Sequence, residues 1–98
     1  MVLQIITYDT ANPSVEEFSS VMSQMKEYYL GNGCVAYDIF RDSNDEKRFY
    51  EMAYFETMED ADAFDKIDSA DKNELFKKFC SISEVISETV DVKILEKI

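Results

Sequence analysis

The chain contains no histidine and no tryptophan. Without histidine it lacks the side chain that most often serves as a general base near neutral pH and most often ligates transition metals. One proline and two glycines in 98 residues leave no glycine-rich loop to cradle a phosphate, and Cys34 and Cys80 stand too far apart for a paired-cysteine zinc motif. Positive charge is also scarce: 10 basic residues face 21 acidic ones, a net charge of −11, which argues against nucleic acid and anionic membranes as partners. No apolar run is long enough to span a bilayer, and no basic-then-apolar leader opens the chain. These absences predict a cytoplasmic protein with no cofactor and no metal. Both cysteines are expected reduced and buried as small hydrophobes. The length suits one domain, residues 1–98, with a core of modest size.

What is present organises around one hairpin. Cys34 to Arg41 and Arg48 to Glu56 are rich in Tyr, Phe, Val and Ile, and the polar segment Asp42 to Lys47 links them, which predicts two antiparallel strands. Val35, Tyr37 and Ile39 oppose Cys34, Ala36 and Phe40 across the first strand. Phe49, Ala53 and Phe55 oppose Tyr50, Met52 and Tyr54 across the second. Both faces therefore require cover. Val2 to Asp9 reads as a first strand. Val15, Phe18, Val21, Met22, Met25 and Tyr28 form a helical stripe over Ser14 to Leu30. Its start is either a Ser14–Glu17 capping box or Asn12 as cap with Pro13 in the first turn, and Gly31 and Gly33 end it. Thr57 caps a second helix, Met58 to Ile67, and a further helical segment spans Lys72 to Cys80. Ser81 to Glu88 carries no clear pattern, and Thr89 to Leu95 alternates as a last strand. The order predicts an α+β, ferredoxin-like βαββαβ fold: a four-stranded antiparallel sheet with its helices on one face. The other face is apolar, and a second copy covering it would give a homodimer.

The runs GNGCVAYDIFRD (Gly31 to Asp42) and RFYEMAYFETMEDADAF (Arg48 to Phe64) resemble the antibiotic biosynthesis monooxygenase domain, and the resemblance extends over nearly the whole chain. Gly33, Cys34, Tyr37, Arg41 and Phe49 stand where that family has them. The resemblance implies a dimeric α+β barrel, and the best-known members oxidise quinols or aromatic polyketides with oxygen and no cofactor. Two departures bear on chemistry. Ala53 and Phe55 replace the Glu-x-Trp that usually ends the third strand, and Phe64 replaces a histidine on the second helix. The haem-degrading branch, which needs a histidine and a tryptophan, is excluded.

Two carboxylates are candidates for catalysis. If Phe40 faces Phe49 across the hairpin, Asp38 lies opposite Glu51 on the same face. Repulsion would then hold one of them protonated, and a carboxyl of raised pKa suits removal of a phenolic or enolic proton. Phe55 and Phe64 would line a pocket for a flat apolar ligand, with Tyr8 supplying a hydroxyl. The resulting expectation is a cofactor-independent monooxygenase of small aromatic or quinol-like substrates. Its rivals are a non-catalytic module binding a small aromatic ligand and a structural dimer with a filled cavity. A pocket with a polar group inside would favour the enzyme, an apolar pocket the binding module, and no pocket the structural dimer.

Overall fold

The computed structural model describes residues 1–12 and 14–98. Its elements run β1 (Val2–Thr10), α1 (Val15–Leu30), β2 (Ala36–Asp42), β3 (Asp45–Phe55), α2 (Met58–Asp65), α3 (Ala70–Ser83) and β4 (Val85–Glu96). The four strands form one sheet in the order β2-β3-β1-β4, antiparallel throughout. This is the ferredoxin-like α+β arrangement expected, with the second helical region divided into α2 and α3. No helix among the described residues is long and apolar enough to cross a membrane.

The sheet is two-sided, as the strand alternation requires. Val2, Tyr8, Phe49, Ala53, Phe55 and Tyr37 point toward the helices and are buried with Phe18, Val21, Met25 and Tyr29 of α1, Ala61 and Phe64 of α2, and Phe79 of α3. Leu3, Ile5, Met52 and Tyr54 occupy the opposite face, which no helix covers; they are half-buried, and Phe40 is 51% exposed. Aromatic rings hold the layers together. Phe18 meets Phe49 and Phe79 edge-on at 5.8 and 6.0 Å, an arrangement that aligns ring edges with the negative ring faces.

Local chemistry explains the ends of the elements. Thr57 and Ser69 accept hydrogen bonds from the backbone N–H groups of Asp60 and Lys72, capping α2 and α3. Lys72 then reaches back, donating at 2.8 Å to the carbonyl of Phe64 at the end of α2. Ser14 precedes α1 but makes no side-chain cap, so the capping box does not form. Instead Asn12 accepts from the Ser14 N–H and donates at 2.7 Å to Glu17. The alternative start places Pro13 in the helix, and Pro13 lies outside the described residues. Gly33, at φ +97°, takes the positive-φ turn into β2. The hairpin turn is tighter than its composition suggests. The Asp42 side chain accepts from the Asn44 N–H, closing the turn at Ser43 and Asn44 and extending β3 back to Asp45. Where no pattern was legible, α3 continues to Ser83 and Glu84 takes a left-handed conformation (φ 54°) before β4 begins.

Phe18 is fully buried between two rings. Phe18→Ala is expected to lower unfolding free energy by about 3–5 kcal/mol, a large fraction of the ~5–15 kcal/mol typical of small domains. Urea denaturation checks this, and a loss under about 1 kcal/mol would show that α1 is not pinned by this ring.

Candidate functional site

On its helix-facing side β3 reads Phe49, Glu51, Ala53, Phe55: one carboxylate in an apolar row. Glu51 is only 6% exposed. Register sets it beside Ile6 of β1 and Ile39 of β2. The hydroxyl of Tyr37 donates to its Oε1 at 2.5 Å. Tyr37 in turn is held by stacking: its ring lies 4.1 Å from that of Tyr29, which stacks at 4.3 Å on Phe64. Burial drives the Glu51 pKa above the ordinary carboxylate range, while the neighbouring hydroxyls of Tyr37 and, to a smaller extent, Tyr8 pull it back down. Burial also pushes Tyr37 and Tyr8 above the usual phenol range, and the neighbouring Glu51 charge adds to the effect. Both hydroxyls are therefore hydrogen-bond donors rather than bases.

Glu51 opens onto a cavity of about 160 Å³ between the sheet and helices α1 and α3. Ile6, Met25, Phe79 and Val90 supply much of its apolar wall, and Tyr8 and Cys80 also line it. The Tyr8 ring is fixed by Phe49 and by Phe79, at 6.3 and 6.1 Å. Its hydroxyl is buried and has no hydrogen-bond partner. A larger concavity, about 590 Å³, lies on the outer surface of α1 and α3 and is lined by side chains such as Glu27, Asp71 and Glu74. Those side chains are exposed, with none buried. The small inner cavity is the candidate site.

Two of the residues expected at a site, Glu51 and Tyr8, meet there. Asp38 does not. Phe40 pairs with Tyr50 rather than Phe49, so Asp38 faces Met52 and Ile39 faces Glu51. A register difference of one residue turns a side chain to the other face of the sheet. Asp38 is exposed and forms an ion pair with Lys26 at 3.3 Å, and the facing carboxylate pair does not form. Phe55 and Phe64 are fully buried, pack on each other at 5.8 Å and stand outside the cavity lining. They are core residues here. Cys34 is buried, its thiol donating to the carbonyls of Ala36 and Tyr54. Cys80, expected to be buried, is exposed at the cavity's edge, because it lies one position past Phe79 on α3 and so turns away from the core. Sequence reading also passed over Tyr29, the ring that braces Tyr37. The available signal was its place four residues beyond Met25 and eight beyond Val21, on the buried stripe.

The arrangement offers a proton acceptor of raised pKa with a phenolic donor beside it, in a largely apolar cavity. Comparison with known proteins agrees with the fold. The family model for antibiotic biosynthesis monooxygenase matches residues 1–79. A Deinococcus radiodurans protein assigned to the antibiotic biosynthesis monooxygenases superposes with a TM-score of 0.75 at 10% identity, covering 99% of this chain and 92% of its own. A conserved protein from Methanosarcina mazei gives 0.72 at 17% identity, covering 99% and 93%. A variant of SnoaB, a cofactor-independent oxygenase from Streptomyces nogalater, gives 0.73 at 12% identity, covering 98% and 91%. No curated protein is significantly similar in sequence. Identities this low establish the shared fold alone, whereas the family match spans most of the chain. The chain belongs to the antibiotic biosynthesis monooxygenase family.

Proposed function

We propose that the protein is a cofactor-independent monooxygenase of small aromatic, quinol-like compounds, acting as a homodimer. The observation that carries this reading is a buried carboxylate, Glu51, lining an otherwise apolar cavity. Of the three readings open at the level of sequence, a pocket with a polar group inside favours the enzyme. A hydroquinone bound there gives a hydroxyl proton to Glu51, and the electron-rich anion reacts with dioxygen away from bulk water. One oxygen atom enters the ring and the other leaves as water. The hydroquinone supplies all four electrons and ends as a hydroxyquinone. SnoaB, a cofactor-independent oxygenase of the same fold, supports the reaction class.

Oxygen consumption measured over a panel of quinols tests this. The replacements at Ala53, Phe55 and Phe64 predict weak turnover of simple hydroquinones. Whatever turnover is found should fall about 10²–10⁴-fold in Glu51→Gln, the usual contribution of a general base. Asp38→Asn should leave it unchanged, since Asp38 lies outside the cavity. Saturable binding of an aromatic ligand without uptake by any quinol would assign the chain to the binding module instead.

The titration of Glu51 is separately measurable. Below its ordinary value of 4.5 the folded and unfolded chains both hold the proton. As pH rises above that value the unfolded chain releases it first, so wild type loses stability until the folded carboxyl ionises too. Glu51→Gln lacks this loss. Its stability relative to wild type should therefore rise with pH, by about 1.4 kcal/mol per unit of pKa shift. Urea midpoints taken from about pH 4 to about pH 8 read the difference, and a difference independent of pH would mean that Glu51 titrates as an ordinary carboxylate.

The homodimer reading rests on the uncovered sheet face, where Leu3, Ile5, Met52 and Tyr54 are half-buried and Phe40 on the edge strand is exposed, and on the barrel that the family resemblance implies. Sedimentation at micromolar concentration should give twice the 11.4 kDa chain mass. Met52→Glu should dissociate the pair by placing an unpaired charge in an apolar contact. A wild-type monomer at that concentration rules the dimer out.

A further inference from the structure

Among the described residues, the Tyr8 hydroxyl is the one buried side-chain polar atom with no hydrogen-bond partner. Buried polar groups are nearly always paired, and an unpaired donor is unfavourable enough that its persistence calls for a reason. Its nearest acceptor is the Glu51 carboxylate, with which it makes no well-formed hydrogen bond, and its ring packs against Phe49 and Phe79. It lines the same small cavity as Glu51. The Oε1 of Glu51 already receives the Tyr37 hydroxyl, which leaves the second carboxylate oxygen to take a substrate proton. Proton removal makes an oxyanion, and in an apolar cavity an oxyanion needs a donor placed in advance.

Resting on the oxygenase reading above, we infer that Tyr8 is a second catalytic residue, donating a hydrogen bond to the substrate oxygen that Glu51 deprotonates, in a site sized for single-ring phenols. One hydroxyl on the ligand satisfies both groups, giving its proton to Glu51 and accepting from Tyr8. When the O–H bond breaks, the proton passes to the carboxylate, the electron pair stays on oxygen, and the Tyr8 bond shortens onto the new charge. Because Tyr8 itself resists ionisation, it remains a donor throughout. The cavity volume of about 160 Å³ matches a single ring, since an apolar cavity of roughly 150 Å³ is filled by one benzene.

The experiment follows 4-nitrophenol, whose absorption reports its ionisation, bound to the Glu51→Gln protein, in which a neutral amide mimics the protonated base. The bound probe should be the phenolate. Adding Tyr8→Phe should weaken its binding by about 10- to 100-fold, the worth of one hydrogen bond to a charged acceptor, while thermal stability is unchanged or raised because an unpartnered hydroxyl has been removed. The tricyclic 9-phenanthrol should not bind. If the double variant fails to fold, wild type against Tyr8→Phe reads the same bond with the neutral probe, as an expected loss of about 3- to 10-fold. Equal affinity with and without the Tyr8 hydroxyl overturns the inference, as does binding of the tricyclic probe with the affinity of the single ring. Failure of the oxygenase reading looks different: no quinol supports oxygen uptake, yet phenolate binding still depends on Tyr8.

Discussion

A carboxylate held inside an aromatic core is the constraint from which the site follows. Taking an ionised carboxyl out of water is strongly unfavourable unless it is paired or protonated, and Glu51 has no cationic partner. Ion pairing is replaced by a short hydrogen bond from Tyr37, with the Tyr8 hydroxyl as a second, weaker neighbour. That bond depends on a tyrosine which cannot turn away, because Tyr29 lies flat against one side of its ring and Phe64 backs Tyr29. The stack therefore ties α1 and α2 to the protonation behaviour of one residue on β3. A substitution that loosens the stack acts on the Glu51 carboxyl without touching it.

The two faces of the sheet divide the work. The helix side gathers the rings, the carboxylate and the cavity, whereas the uncovered side mixes apolar residues such as Leu3, Ile5 and Met52 with charged ones such as Arg48 and Lys93, and has Asp38 at the edge strand β2. β4, at the opposite edge, contributes Val85 and Val90 to the cavity wall. Farther along, Val92 and Ile94 pair with the helix-facing residues Ile6 and Gln4, but they remain exposed, so the helices cover the β4 edge incompletely. The cavity thus sits near the least covered margin of the helix layer, where a ligand can enter without parting packed helices. It closes inward against the apolar side chains of Phe79 and Met25.

The fold was legible because its signals are local and redundant. Strand composition, the helical stripe of α1 and the Thr57 cap each point to the same elements, and agreement across levels is what specifies a structure. The candidate site was legible in part. Glu51 is the only charged residue in the alternation from Phe49 to Phe55, a single-residue signal that needs no partner to be read. The pairing of Asp38 with Glu51 rested instead on hairpin register, and register depends on the turn. A polar segment of six residues, Asp42 to Lys47, admits several closures. The tight one adopted, fixed by the Asp42 side chain on Asn44, shifts the partner strand by one and puts Asp38 outside. Nothing in composition distinguishes those closures. The unpaired hydroxyl of Tyr8 was beyond reach for a similar reason, because sequence names the donor but not the acceptors around it.

Phe55 and Phe64 bear on how this chain differs from the family it belongs to. The resemblance places a tryptophan and a histidine at these positions, side chains with hydrogen-bonding nitrogens. Here both are plain aromatic rings, packed on each other, with Phe64 also stacked on Tyr29. A phenylalanine at 64 presents no polar atom, so this part of the interior closes as core and leaves the cavity to the region between Tyr8 and Phe79. The polar groups that remain come from β1, β2 and β3: Tyr8, Tyr37 and Glu51. They are mounted on strands rather than loops, and each ring is held by others, so their relative positions change little on ligand binding. In the proposed reaction, a site built this way gains precision in where a proton is removed and offers little room for a large ring system.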